Sequence, residues 1–215
     1  MVARRSVLLL MSGITRLPKE YLSNSQIECA LNYPAQYVNR YIYKIQDEVS
    51  PQQAFGKVVT DILEGRVKCT KEFLKPLSKV KRAEKNDVGL EATFTRGKDK
   101  VKVIGYLDGQ IGEGKDIQQL EYKTGVHPWT QDRVEKHEQL KLYAALHYEK
   151  TKFIPPQELI WIPTKKEGDV VTICGEPVSF KVQHTMTDVL YAVKRVWKAY
   201  DVIVKLVEQY NDDKL

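Results

Sequence analysis

Gly105-Tyr106-Leu107-Asp108 and Glu121-Tyr122-Lys123-Thr124-Gly125 are the two stretches from which the rest of this 215-residue chain is read. Apolar and polar residues alternate through Val101, Val103, Ile104, Tyr106 and Leu107, and again through Ile117, Leu120 and Tyr122, so each carboxylate is expected late in a β-strand. Gly109, Gly112 and Gly114 mark the intervening segment, Gly109 to Asp116, as the turn of a hairpin. Pairing the strands brings Asp108 to Glu121. Two neighbouring carboxylates stay ionised together only with a cation between them, and a site built of hard oxygens suits Mg²⁺ or Mn²⁺. Lys123, two residues beyond Glu121, shares its face of the strand. An ammonium there can orient an attacking water and offset charge building on a phosphate.

Downstream, the loop Val126-His127-Pro128-Trp129 leads to Thr130, a plausible N-cap for one long helix reaching about Glu149. Gln139 and Tyr143, four residues apart, project from one side of it and can hydrogen-bond a phosphate or the lysine. Upstream, Phe55, Val58, Val59, Ile62 and Leu63 recur at helical spacing from Pro51 until Gly65 stops the helix. A strand is expected over Leu90 to Arg96, with Glu91 near its start. Leu159 to Ile162 and Val170 to Ile173 read as a further hairpin about Lys165 to Gly168. From about Thr187 a helix carries Val189, Val193, Val196, Trp197, Tyr200, Ile203 and Val207 on one broad face.

The blocks Gly105 to Asp108, Glu121 to Gly125 and Gln139 to Tyr143, in that order, resemble the PD-(D/E)XK nuclease superfamily, and within it the RecB-like branch, whose pattern runs G-x-x-D, (D/E)-x-K-T-G, Q-x-x-x-Y. A surface hairpin with a solvated ion pair would explain Asp108, Glu121 and Lys123 alone; it does not explain three ordered blocks. The resemblance implies an α/β fold of restriction-endonuclease type, a central mixed sheet flanked by helices, with an N-terminal helical cap and a long C-terminal helix. It implies a single domain over 1–215, with the cap at about 1–50, the catalytic core at 51–165, and the C-terminal hairpin and helix at 166–215. It also implies a metal-dependent deoxyribonuclease, exonuclease or endonuclease. Asp108, Glu121 and Lys123 would be catalytic, Asp108, Glu121 and the Tyr122 carbonyl would hold Mg²⁺ or Mn²⁺, and Gln139 and Tyr143 would position the DNA. Such enzymes act in DNA repair, recombination, CRISPR adaptation or viral genome processing.

The resemblance breaks at two places. The branch pattern G-x-x-x-H-x-x-L-E matches Gly56, Leu63 and Glu64, but Thr60 stands where a histidine binds metal. Glu64, one turn on and on the same face, is therefore a secondary metal candidate, as is Glu91. Tyr33, before Pro34, occupies the position of the first cysteine of an iron-sulfur cluster, and of the C-terminal cysteine trio only Cys174 is near. No iron-sulfur cluster is expected.

Three cysteines without a C-x-x-C support neither a disulfide framework nor a zinc site, and are read as buried thiols. The net charge of +6 and pI near 9.0 suit a polyanion partner, and the resemblance implies that it is DNA, single-stranded or at duplex ends. Lys68, Lys71, Lys75, Lys79, Lys81, Arg82 and Lys85 form a basic run, helical until Pro76 and loop thereafter, suited to tracking a phosphate backbone. Tyr33, Tyr37 and Tyr41, spaced by one helical turn and flanked by Arg40 and Lys44, are either a buried face or a base-stacking stripe. Ser25 is the expected N-cap of the helix before them, and Pro34 the first turn of the next. No segment approaches the ~18 apolar residues of a membrane span. Arg4 and Arg5 before Val7 to Met11 are read as leading into a buried strand or helix turn of an intracellular protein, cytoplasmic or virus-encoded. Two other classes stay open: a DNA-binding module without turnover, favoured by Thr60, and an interaction subunit of a recombination or replication complex, which needs an exposed apolar stripe on the C-terminal helix.

Overall fold

The computed structural model describes residues 17–212, so the segment from Arg4 to Met11 lies outside the described residues. The chain divides into two compact units: one gathers 17–46, 93–103 and 194–212, the other 47–92 and 104–193.

In the first unit, the N-cap position of α1 (Asn24–Asn32) is held by Ser23 rather than Ser25, without a side-chain capping bond; the two hydroxyls hydrogen-bond each other at 3.0 Å. Pro34 opens α2 (Pro34–Tyr37), where its missing N–H costs nothing, and the chain runs on through a π-turn at Val38–Ile42. The tyrosine stripe is split. Tyr37 is fully buried with Tyr41 tilted against it at 4.8 Å, whereas Tyr33 sits at the junction of the two helices and is 60% exposed. The Leu22 N–H donates to the Lys102 carbonyl at 2.9 Å, forming a parallel bridge to Val103. The later part of the last helix buries Val196, Trp197, Tyr200 and Ile203. Arg96 pairs there with both carboxylate oxygens of Asp201 and lies 4.5 Å over the Trp197 ring.

The second unit holds α3 (Pro51–Leu63), α4 (Lys71–Leu77) and most of the sheet. A reciprocal capping box of Ser50 and Gln53 starts α3. Its end is a Schellman turn: Gly65, at φ +77°, lets its own N–H reach the Ile62 carbonyl at 3.2 Å and the Arg66 N–H reach the Asp61 carbonyl at 2.8 Å. The strands are β1 (Lys85–Arg96), β2 (Asp99–Ile111), β3 (Gln118–Gly125), β4 (Gln157–Glu167), β5 (Val170–Ile173) and β6 (Val178–Val182). They form one six-stranded sheet ordered β1-β2-β3-β4-β5, with β6 also paired to β4. β2 and β3 are antiparallel, β3 and β4 parallel. A parallel pair needs a crossover, supplied here by α5 (Gln131–Glu135) and α6 (Glu138–Thr151). With β3 on one side and β6 on the other, β4 is internal, and its Leu159, Ile160 and Ile162 are buried on both faces. Val59, Ile62 and Leu63 of α3 pack on Leu120, Tyr122, Ile160 and Ile162. The last helix, α7 (Met186–Asp212), begins at a reciprocal Thr185–Asp188 cap.

Several expectations are corrected. β2 continues to Ile111, so the turn is shorter than read, and β3 runs to Gly125, which puts Glu121 in mid-strand. The helix expected over 130–149 breaks at Lys136 and His137, where α5 ends and α6 begins. β1 starts five residues early, and β6 was missed. Much of the basic run serves the fold: Arg82 caps the Ile62 and Leu63 carbonyls at 3.0 and 2.8 Å, Lys81 binds buried Glu158 at 2.9 Å, and Lys79 and Lys85 pair with Glu176 and Glu113. Of the cysteines only Cys29 is buried. Among the described residues no helix is long and apolar enough to cross a membrane.

The β2–β3 hairpin is packed tightly from outside. A Cβ on Gly109 would lie 2.4 Å from the Ala83 Cβ. Gly109→Ala is therefore expected to cost about 1–3 kcal/mol in urea unfolding, and Ala83→Gly in the same chain to restore most of it. An unchanged midpoint in the single variant would show that the segment after α4 does not lie against β2.

Candidate active site

The β2–β3 ladder pairs Ile111 with Gln118, Gln110 with Gln119 and Gly109 with Leu120. Beyond Gly109 the next β3 donor finds a side chain: the Tyr122 N–H donates to Asp108 Oδ2 at 2.7 Å. The strand that carries the lysine thus also fixes the first carboxylate. Glu121, only 2% exposed, takes the Lys123 ammonium on Oε1 at 2.5 Å, while its buried Oε2 has no hydrogen-bond partner.

Lys123 is held from its other side. Its ammonium donates to Gln139 Oε1 at 2.9 Å, Gln139 Nε2 donates to the Tyr143 hydroxyl at 2.6 Å, and that hydroxyl donates to the Tyr106 carbonyl at 2.7 Å. Gln139 and Tyr143 meet because they stand one turn apart on α6. The relay needs Gly105, since a Cβ there would come within 2.6 Å of Tyr143 Cε1. Tyr143 is buried, so its phenol supports Gln139 from inside the protein.

Glu64, at the end of α3, feels the charge of Asp108. Its side chain is 3% exposed, and Arg66, turned back by Gly65, reaches Oε2 at 2.8 Å. Arg66 also touches Asp61 at 3.1 Å and Asp87 at 3.0 Å. Asn86 Nδ2 donates to the Glu64 carbonyl at 3.1 Å and anchors the end of the helix. Thr60 lies on the same helical face as Glu64 and as Gly56, whose missing Cβ makes room for Thr124 Oγ1 of β3.

All three carboxyls are pushed above the usual carboxylate range by burial. For Glu121, burial outweighs the pull of Lys123, and the repulsion of Asp108 adds to it, giving about 7. For Asp108, burial is opposed by Lys123 and by the Tyr122 N–H. For Glu64, burial is opposed by Arg66 and reinforced by Asp108. The buried Glu121 oxygen without a partner offers a lone pair to a hard cation, and a cation there would restore the charge that burial disfavours. Among the described residues no three His, Cys, Asp or Glu side chains are grouped to hold a metal. The side-chain donors that fit are therefore the Asp108–Glu121 pair, with backbone and water oxygens completing a set of the Mg²⁺ or Mn²⁺ kind.

Glu91 is exposed on β1, and the principal charges acting on Asp108 and Glu121 come from elsewhere. His137 borders the site: burial, then the charge of Lys123, pushes it down to about 4, and its ring lies 4.9 Å from Trp129. Sequence reasoning missed Arg66 and Asp87. The one signal was Gly65, whose left-handed turn reverses the chain and returns Arg66 to the helix it has just left.

The chain belongs to the PD-(D/E)XK nuclease superfamily, whose sequence profile matches residues 60–202. No curated protein sequence matches it significantly. Among solved structures, a putative exonuclease from Eubacterium rectale aligns with a TM-score of 0.56 at 14% identity, covering 88% of this chain and 82% of that one. The alkaline exonuclease LHK-Exo from Laribacter hongkongensis aligns at 0.50 with 10% identity over 91% of this chain and 93% of its own. Its complex with dAMP gives 0.52, at 10% identity, over 94% and 96%. At such identities the likeness is one of fold: a mixed sheet flanked by helices, of restriction-endonuclease type.

The raised Glu121 carboxyl has a consequence for stability. The folded protein keeps that proton to about pH 7, whereas an ordinary glutamate releases it near 4.5. The folded state binds more protons across this window, so this contribution to metal-free stability is full below 4.5 and is lost as pH rises through 7. His137 acts in the opposite sense between about 4 and 6.5, so the effect is read as a difference. Urea unfolding in EDTA is expected to show wild type losing stability relative to Glu121→Gln between pH 5 and pH 8. A difference independent of pH would show that Glu121 ionises like an exposed carboxylate.

Proposed function

We propose that the protein is a metal-dependent deoxyribonuclease that hydrolyses phosphodiester bonds in single-stranded DNA or at duplex ends. The observation that carries this reading is the Lys123 ammonium held between Glu121 and Gln139 while a buried Glu121 oxygen stays open beside Asp108. Asp108, Glu121 and the Tyr122 carbonyl would hold Mg²⁺ or Mn²⁺, and Glu64, whose carboxyl feels the charge of Asp108, would reach the ion through water. When bound, such an ion would supply Lewis-acid chemistry, offsetting phosphodiester charge and making a water nucleophilic at neutral pH. The chain's own groups do the rest. Lys123 orients the attacking water and offsets the charge that builds on phosphorus oxygens; Gln139, supported by Tyr143, keeps the ammonium from swinging away; the Tyr122 N–H keeps Asp108 aimed.

The exonuclease descriptions of the two similar structures favour attack near strand ends, and the net charge of +6 favours a polyanion. DNA repair, recombination, CRISPR-related or viral genome processing are the settings such an activity fits. The interaction-subunit reading is less well supported, because the large apolar side chains exposed on α7 are Met186, Leu190 and Tyr191 near its start, and Tyr191 already bonds Glu138.

End-labelled single-stranded and duplex DNA, incubated with Mg²⁺, with Mn²⁺ and with EDTA, tests the activity. Asp108→Ala, Glu121→Ala and Lys123→Ala are each expected to abolish cleavage with DNA affinity largely kept, since affinity is spread over many cations. Gln139→Ala is expected to lower kcat about 10–100-fold with little change in KM, as for loss of positioning rather than of chemistry. Full activity in Asp108→Ala would sink the assignment, and metal-independent binding without any cleavage by wild type would leave the DNA-binding module.

A further inference from the structure

Tyr106 is an unusual residue for its position. It lies on β2 between Gly105 and Leu107, both buried, yet its ring is 57% exposed. Single exposed aromatics are common on protein surfaces and mean little alone. Three further observations set this one apart.

First, its backbone is fixed from inside, because the carbonyl of Tyr106 is the end point of the Tyr143–Gln139–Lys123 relay at 2.7 Å. Second, the ring has a floor. A Cβ on Gly89 of β1 would be 3.7 Å from Tyr106 Cε1 and 4.0 Å from Cδ1, so one edge of the ring rests over a residue without a side chain. Third, it stands beside the carboxylates. The charge of Asp87 bears on Asp108, and Gly89, two residues further along β1, lies under Tyr106. Tyr106 and Asp108 are alternate residues of β2 and share a face of the strand, about 7 Å apart along it.

We propose that Tyr106 is a stacking platform for an unpaired nucleobase of the nucleotide at the cleavage site, making single-stranded DNA or a frayed terminus the preferred substrate. The inference rests on the nuclease reading of the same site and adds the form of DNA it takes. A flat ring gains nothing from a paired base whose two faces are already covered by its duplex neighbours. It gains a full contact with an unpaired base of any identity, because every base has a π-face. Selection by strandedness rather than by sequence follows. The rigid carbonyl tether matters here, since a platform that moved would not hold the adjoining phosphate against Asp108 and Glu121.

Binding in EDTA isolates this step from turnover. Fluorescence anisotropy would compare wild type, Tyr106→Phe, Tyr106→Trp and Tyr106→Ala on one single-stranded oligonucleotide, on a blunt duplex of the same sequence, and on single-stranded copies carrying one abasic site at successive positions. Tyr106→Ala is expected to weaken single-stranded binding about tenfold or more, with Phe and Trp close to wild type and duplex affinity changed less than about twofold. One abasic position should erase the difference between wild type and Ala. Equal loss on single strand and duplex, or no loss on either, would overturn the proposal; the Phe variant, which keeps the ring, guards against a simple folding defect. Cleavage by wild type with Mg²⁺ or Mn²⁺ tests the nuclease reading independently: active protein with an unaffected Tyr106→Ala defeats only the platform. Wild type that binds no DNA defeats both.

Discussion

A lysine ammonium forced against a carboxylate that has almost no access to water is the constraint on which the rest of this protein depends. Burial pushes the Glu121 carboxyl up to about 7, and Lys123, two residues along the same strand, pulls against that push. Neither group could hold its place alone, because breaking one partner of a buried pair leaves the other as an uncompensated charge. The surrounding structure answers this need. β3 is paired on both sides so that its backbone cannot shift, Gln139 takes the second ammonium hydrogen bond, and Tyr143 locks Gln139 to β2. What is left unanswered is a buried oxygen of Glu121 and one of Glu64, neither with a hydrogen-bond partner. An oxygen left without a partner at a desolvation cost of about 1–3 kcal/mol is the kind of local inconsistency that folded proteins keep at sites of function.

The local part of this arrangement was legible in the sequence because it depends on short spacings. Glu121 and Lys123 at i and i+2 share a strand face, Gln139 and Tyr143 at i and i+4 share a helix face, and the glycines after Asp108 turn the chain back so that the strands pair. The C-terminal helix was legible for the same reason, its apolar face recurring at helical period from Val189 to Val207.

What was not legible depends on contacts between distant segments. Arg66 reaches Glu64 only because the Schellman turn at Gly65 reverses the chain, and it reaches Asp87 only because β1 begins early, at Lys85. The basic run looked like a surface for DNA; in the fold, Arg82 spends its guanidinium on the carbonyls at the end of α3, and Lys81 its ammonium on Glu158. His137 gave no sign that it would interrupt a helix. Thr60 is, with Tyr33, one of the two places at which the chain departs from the pattern it resembles, and it shares a face of α3 with Glu64.

Electron paramagnetic resonance titration of the metal-free protein with Mn²⁺ tests the central claim most directly, because it counts bound ions without relying on turnover. If Asp108 and Glu121 form the cation site, wild type should take up Mn²⁺ at neutral to alkaline pH. Glu121→Gln should lose that uptake, and Glu91→Gln should retain it. Equal uptake by wild type and Glu121→Gln would contradict the account, since the buried carboxylate pair would then hold no metal.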